Sequence, residues 1–116
     1  MNLTVTEHVI RVVVIAPHER IDAFSAPGLR ERLEALAGDG LTQFVIDLTD
    51  VPFLDSAGLA ALVSLLKRAR GAGGDVKLVW PREEAAKRIF RLTRFDQVFE
   101  MADSVPGALQ GFGVSA

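Results

Sequence analysis

The sequence predicts an α/β domain: a mixed, mostly parallel sheet of four to five strands, about four helices, and an N-terminal hairpin. Three observations carry that prediction. Extended and helical hydrophobic patterns alternate along the chain, the arrangement that gives parallel strands joined by right-handed helical crossovers. Glycine or proline stands between most of these segments, and both residues punctuate regular structure. Phe44, Val45, Ile46 and Leu48 form a nearly unbroken apolar run, which suits a central strand covered on both faces.

The elements follow in order. Leu3 and Val5 alternate with Asn2, Thr4 and Thr6, and a richer run, Val9 to Ile15, begins two residues later. A hairpin across Glu7 and His8 is the shortest way to join two such strands, although its turn lacks glycine. PHERID, residues 17–22, is a charged loop. Pro27 favours a first helical turn, so a helix is expected from Ser25 or Ala26, with Leu29, Leu33 and Leu36 inward and Gly38 and Gly40 at its end. After the central strand, Leu59, Leu62, Val63 and Leu66 fall at i, i+3, i+4 and i+7 and so line one helix face. Gly71, Gly73 and Gly74 supply left-handed positions at its end. A strand over 76–80 stops at Pro81. Glu83 to Leu92 reads as a helix, Val98 to Met101 as a short strand, and Ser104 to Leu109 as a last helix capped by Asp103 or Ser104.

Composition narrows the function. At 116 residues the chain fits one domain, 1–116, and 49% hydrophobic with 24% charged residues indicates a packed globule. A net charge of -2 without a like-charge run disfavours a nucleic-acid binder or polybasic membrane anchor. There is no cysteine, so disulfides and thiolate chemistry are excluded, and a reducing interior is expected. No apolar run approaches the ~18–20 residues of a membrane span, and MNLTVTEH is not a signal peptide. These features predict a cytoplasmic protein without membrane insertion. Arg82, Lys87, Arg88, Arg91 and Arg94 are read as the wet face of one helix.

The chemistry-bearing stretch is FVIDLTDVPFLDSAGLAALVSLL, residues 44–66. Asp55 and Ser56 stand immediately before the helical period, where unpaired backbone N–H groups and the helix dipole favour oxygen-bearing and anionic groups. The plainer reading makes Ser56 a helix cap; the sharper one makes it a phosphorylation site. An enzyme is not favoured: position 54 is leucine, so G-x-S-x-G is absent, and both histidines, His8 and His18, precede Ser56. A triad through His18 is the remaining enzymatic alternative. Asp47, Asp50 and Asp55 suggest a magnesium site, but turn and cap roles account for them.

FLDSAGLAAL preceded by VIDLTDV resembles the signature of the anti-sigma factor antagonists of the STAS domain family, filled here by Asp47, Asp55, Ser56, Ala57, Gly58 and Leu59. RIDAFSAPGLRERLEAL upstream and RARGAGGDVKLVWPREEAAKRIFRLTRFDQVFEM downstream extend the resemblance over nearly the whole chain. It implies a STAS-like fold and a binding module, not an enzyme, without cofactor or metal. Its implied partner is an anti-sigma factor serine kinase that binds the unmodified protein and phosphorylates Ser56. A PP2C-type phosphatase would reset the switch, and a sigma factor is affected only indirectly. The implied partner-binding residues are Asp22, Asp55, Ser56, Ala57, Gly58 and Leu59, on a monomer or weak dimer. Glu19 and Arg20 depart from the family's usual loop pattern; Ile21 and Asp22 match its end. Phe53, Leu54 and Leu59 flank the serine and are weighed as partner contacts or as core, with core the preferred reading for Phe53 and Leu59. The alternative is a STAS subunit of a transporter or larger signalling assembly, in which the serine matters less.

Overall fold

The computed structural model describes residues 1–115. Its elements run β1 (Val13–Ile15), α1 (Ala26–Gly38), β2 (Gln43–Asp47), α2 (Ser56–Gly71), β3 (Asp75–Val79), α3 (Glu84–Thr93), a 3-10 turn (Phe95–Gln97), β4 (Glu100–Ala102) and α4 (Val105–Gly111). The sheet order is β1-β2-β3-β4, and every pairing is parallel.

Because parallel crossovers share one hand, a sheet wound in simple chain order carries its connecting helices on one face. The period-2 alternation of the strands matches that layout. Phe44 and Ile46 of β2 and Val76 and Leu78 of β3 point into the main core, with Leu33 of α1, Leu62, Leu65 and Leu66 of α2 and Phe90 of α3. Val45 and Val79, one residue out of phase, pack on the opposite face with Ala108, and Val105, Leu109 and Phe112 join them there. The continuous apolar run of β2 is thus a strand buried on both sides.

The expected N-terminal hairpin does not form, and the sheet is parallel throughout rather than mixed. Residues 1–12 contain no strand, and Leu3, Val5 and Val9 are exposed. A two-residue hairpin turn needs positive φ, which Glu7 and His8 do not adopt here. Only the second half of the predicted Val9 to Ile15 strand is retained, and it pairs with β2. Other elements differ at their ends by a residue or two. Of the glycines expected to close α2, Gly73 alone has positive φ, while Gly71 is the helix's last residue. Among the described residues, no helix is long and apolar enough to cross a membrane.

Candidate functional site

The carboxyl ends of β1, β2 and β3 open onto one edge of the sheet, where loops are held by rigid strands. Beyond β2, Asp47 turns back: its carboxylate accepts from the Thr49 backbone N–H at 3.1 Å and from the Thr49 hydroxyl. Val51 is fully buried and plugs the loop into the core. The chain then passes alongside the loop that follows β1. Ile21 and Leu54 form a parallel bridge, with the Ile21 N–H donating to the Phe53 carbonyl at 2.9 Å and the Asp55 N–H to the Ile21 carbonyl at 3.2 Å. This two-bond clasp places Asp22 beside the start of α2.

Asp55 is the N-cap of α2. Its carboxylate accepts from the Ala57 and Gly58 N–H groups at 2.9 and 3.1 Å, satisfying two of the donors that a helix start leaves orphaned. Ser56 is therefore the first helical residue, not the cap, and it is exposed. The reading in which the Ser56 hydroxyl caps the helix gives way to one in which Asp55 does. Ala57 is half-buried, whereas Gly58 and Leu59 are buried. Gly58 explains how close the two loops come. A Cβ there would lie 2.7 Å from the Ile21 carbonyl oxygen and from Ile21 Cγ2, and would also strike Leu54. Leu54 and Leu59 belong to the core, while Phe53 keeps a partly exposed ring with the Arg20 guanidinium 4.6 Å from its centroid.

Asp22 shapes its own loop. One carboxylate oxygen accepts from the N–H groups of Phe24 at 3.0 Å and Ser25 at 3.2 Å, while the other faces Arg20 Nε at 3.5 Å. In return the Ser25 hydroxyl oxygen accepts from the Asp22 N–H at 3.0 Å and the hydroxyl donates to the Arg20 carbonyl at 2.6 Å. The Ser25 and Phe24 N–H groups, helped by Arg20, hold the Asp22 carboxyl below its ordinary value, since hydrogen bonds to the charged form favour it.

Two shallow grooves open at the start of α2, and Ser56 lines the first of them. Phe53, Leu54, Asp55, Ala85, Arg88, Ile89 and Leu92 line one, together with Ser56 itself. Small side chains line the other: Ala23, Ala26, Pro27, Ala57 and Ala60, with Arg30. Farther along the same sheet edge, Asp50 pairs with Arg82 and, at 3.4 Å, with His18 Nδ1. Asp47, Asp50 and Asp55 thus face three different sets of partners. The basic face of α3 is partly internal to that helix, because Glu84 binds Arg91 at 2.7 Å and Lys87 at 3.5 Å. Arg91, then Lys87, hold the Glu84 carboxyl below its ordinary value.

The structure brings Asp22, Asp55, Ser56 and Ala57 to one surface and puts Gly58 and Leu59 beneath it. Sequence reasoning missed the Arg20–Phe53 stack, the placement of Arg88 in the serine's groove, and Phe24, which is 95% exposed. Phe24 fits none of the apolar periods, and that mismatch was the available signal.

Comparisons with known proteins converge. The model of the STAS domain matches residues 1–108. An anti-sigma-B factor antagonist of Bacillus subtilis is 36% identical over 90 residues, covering 78% of this chain and 81% of its own. The anti-sigma-F factor antagonist RsfB of Mycobacterium tuberculosis is 31% identical over 112 residues, covering 96% of this chain and 88% of its own. Among solved structures, an anti-sigma factor antagonist from Mycobacterium paratuberculosis superposes with a TM-score of 0.76 at 31% identity, covering 85% of this chain and 84% of that one.

Proposed function

The chain belongs to the STAS domain family, and from that membership we propose that it is an anti-sigma factor antagonist switched by phosphorylation of Ser56. In its unmodified form it binds an anti-sigma factor that is also a serine kinase, and a sigma factor is released for transcription as an indirect consequence. The kinase transfers the γ-phosphoryl group of ATP to Ser56 Oγ, ADP leaves, and the hydroxyl proton passes to a base on the kinase. A PP2C-type phosphatase hydrolyses the phosphoserine and resets the protein. This exchange takes place in the cytoplasm, with the antagonist as a monomer.

One observation carries the reading. Ser56 is exposed at the first position of α2 while Asp55 supplies the cap. Its hydroxyl is therefore available for transfer without any loss to the helix. The names of the relatives support the regulatory class.

The same geometry supplies a mechanism for release. Phosphorylation adds roughly -1.5 to -2 charges at neutral pH. The helix dipole favours charge there by about 0.3–1 kcal/mol, but the Asp55 carboxylate already occupies the Ala57 and Gly58 N–H groups. Two unit charges ~5 Å apart in water repel by about 0.8 kcal/mol, and the penalty grows when a partner excludes solvent. The phosphate weakens docking at the surface formed by Asp22, Asp55, Ser56 and Ala57 and requires no refolding. Gly58 serves that surface from below by letting the clasp close, and Leu59 by anchoring the start of α2 in the core.

The test is a pull-down from native cytoplasm with wild type, Ser56→Ala and Ser56→Asp, with ADP or ATP present. Wild type and the alanine variant are expected to retain a small ATP-binding serine kinase that the aspartate variant loses. Equal retention of one partner by all three would overturn the switch and favour a scaffold or transporter subunit.

A further inference from the structure

Phe24 stands in the open at the edge of the serine's surface. Among the described residues it is the one aromatic of the large hydrophobic side chains most exposed to solvent, at 95% exposure. A phenylalanine on a loose loop would be unremarkable, but the backbone that carries this one is held in place. Its N–H donates to Asp22 Oδ1 at 3.0 Å, the next N–H donates to the same oxygen, the Ser25 hydroxyl ties down the Arg20 carbonyl, and the Ala26 N–H donates to the Asp22 carbonyl at 2.8 Å. Binding there orders the ring but not the loop, so the loop-ordering part of the entropic cost is avoided. Large, rigid aromatics next to fully desolvated contacts are the residues that dominate interface energies.

The surface beside the ring is complementary in kind. Ala23, Ala26, Pro27, Ala57 and Ala60 make an apolar floor without bulk, and Arg30 lies at its rim. Arg30 has no ion pair among the described residues, unlike Arg20, which faces Asp22. Ala60 lies one turn beyond Ser56 on the same helix face, so the floor is continuous with the serine. Ala23, the residue before Phe24, lines this same groove, so a partner seated in it reaches the loop that carries Phe24.

We infer that Phe24 is the aromatic anchor by which this chain engages its anti-sigma factor. The inference rests on the function proposed above and assigns the partner's chemistry. That protein offers an apolar socket for the ring, a bulky aliphatic side chain that fills the alanine floor, and a carboxylate that meets Arg30. Asp22 contributes by organising the loop behind Phe24, which accounts for a loop aspartate whose oxygens are spent on local N–H groups and Arg20.

The experiment uses the full chain and the kinase purified from the Ser56→Ala pull-down, titrated calorimetrically against wild type, Phe24→Ala, Phe24→Tyr and Arg30→Glu. The alanine variant is expected to bind at least about 30-fold more weakly, the scale of a hot-spot truncation. Tyrosine is expected to restore affinity to within about threefold, and Arg30→Glu to weaken binding about tenfold or more. Unchanged circular dichroism and melting temperature for Phe24→Ala separate this result from misfolding. Wild-type binding with Phe24→Ala within threefold of it would overturn the anchor and leave the switch standing. If wild type binds no kinase, the underlying reading fails and the anchor with it. If Phe24→Ala instead abolishes a dimer seen by sedimentation and leaves kinase affinity unchanged, the occupant is a second copy and the inference is wrong.

Discussion

Replacing Gly58 by alanine reverses the usual effect of that substitution. In a helix, Gly→Ala normally stabilises by about 0.5–1 kcal/mol, through lower chain entropy in the unfolded state and better helix propensity. Here the added methyl would sit 2.7 Å from both Ile21 Cγ2 and the Ile21 carbonyl oxygen. That oxygen cannot retreat freely, because it accepts from the Asp55 N–H, and the N–H of the same residue donates to Phe53. Overpacking costs about 1–3 kcal/mol, and straining two backbone hydrogen bonds adds about 0.5–1.5 kcal/mol each. After the helix gain is subtracted, a net loss of about 1–5 kcal/mol is expected. At roughly 4 °C per kcal/mol for a chain of this size, the melting temperature should fall by about 4–20 °C. Gly28 provides the internal control. It also lies in the first turn of a helix, but a Cβ there meets nothing within 4 Å, so Gly28→Ala should stabilise by about 0.5–1 kcal/mol. Urea and thermal unfolding of both variants decide the matter. A Gly58→Ala protein as stable as wild type would refute the argument that the two loops are clasped through this glycine.

Other expected outcomes follow from the same site. Asp55→Ala should lose about 1 kcal/mol of stability, within the 0.5–2 range for a lost N-cap, whereas Ser56→Ala should change it by less than about 0.5 kcal/mol; equal losses in urea titrations would mean that the serine shares the cap. Asp22 should titrate below the ordinary value of 3.8 in an NMR pH series. Because its folded value is depressed, its contribution to stability is present above the ordinary value and lost as the pH falls through the folded one. That dependence should vanish in Asp22→Asn, and an Asp22 midpoint at or above 3.8 would contradict the hydrogen bonding described. Arg20→Ala removes an exposed cation–π contact with Phe53 worth about 0.5–1 kcal/mol together with the exposed ion pair to Asp22, so a small loss of stability is expected that shrinks as salt screens the ion pair; an unchanged urea midpoint at low salt would contradict both contacts.

Much of this fold is legible in the residues because local pattern and tertiary role agree. β2 reads as apolar on both faces, and it is covered on both faces; the period of Leu59, Leu62, Val63 and Leu66 marks the buried side of α2. The N-terminus departs from its local pattern because alternation of Leu3 and Val5 specifies a strand only if something pairs with it, and the turn at Glu7 and His8 lacks the residues that would fold it back. The site divides in the same way. Asp55 and Ser56 were visible as a helix start, yet which of them caps depends on one dihedral choice at Asp55, whose backbone is extended. Gly58 and Leu59 belong to the same motif as Ser56, but the motif mixes residues that present the serine with residues that let the loops close, and spacing alone does not separate the two. Arg88 comes to the serine's groove, and the loop carrying Phe24 to the neighbouring one, through folding, from segments about thirty residues away on either side, and no local pattern announces that meeting.

The central claim is that a phosphoryl group on Ser56 dissolves a protein interface. It is tested most directly by phosphorylating the purified chain with its retained kinase and ATP, locating the phosphate by mass spectrometry, and titrating phosphorylated and unmodified protein against that kinase in ADP. The account predicts a single phosphate on Ser56 and an affinity at least tenfold weaker for the phosphorylated form, restored by a PP2C-type phosphatase. A phosphate on another residue, or equal affinities for the two forms, would contradict it.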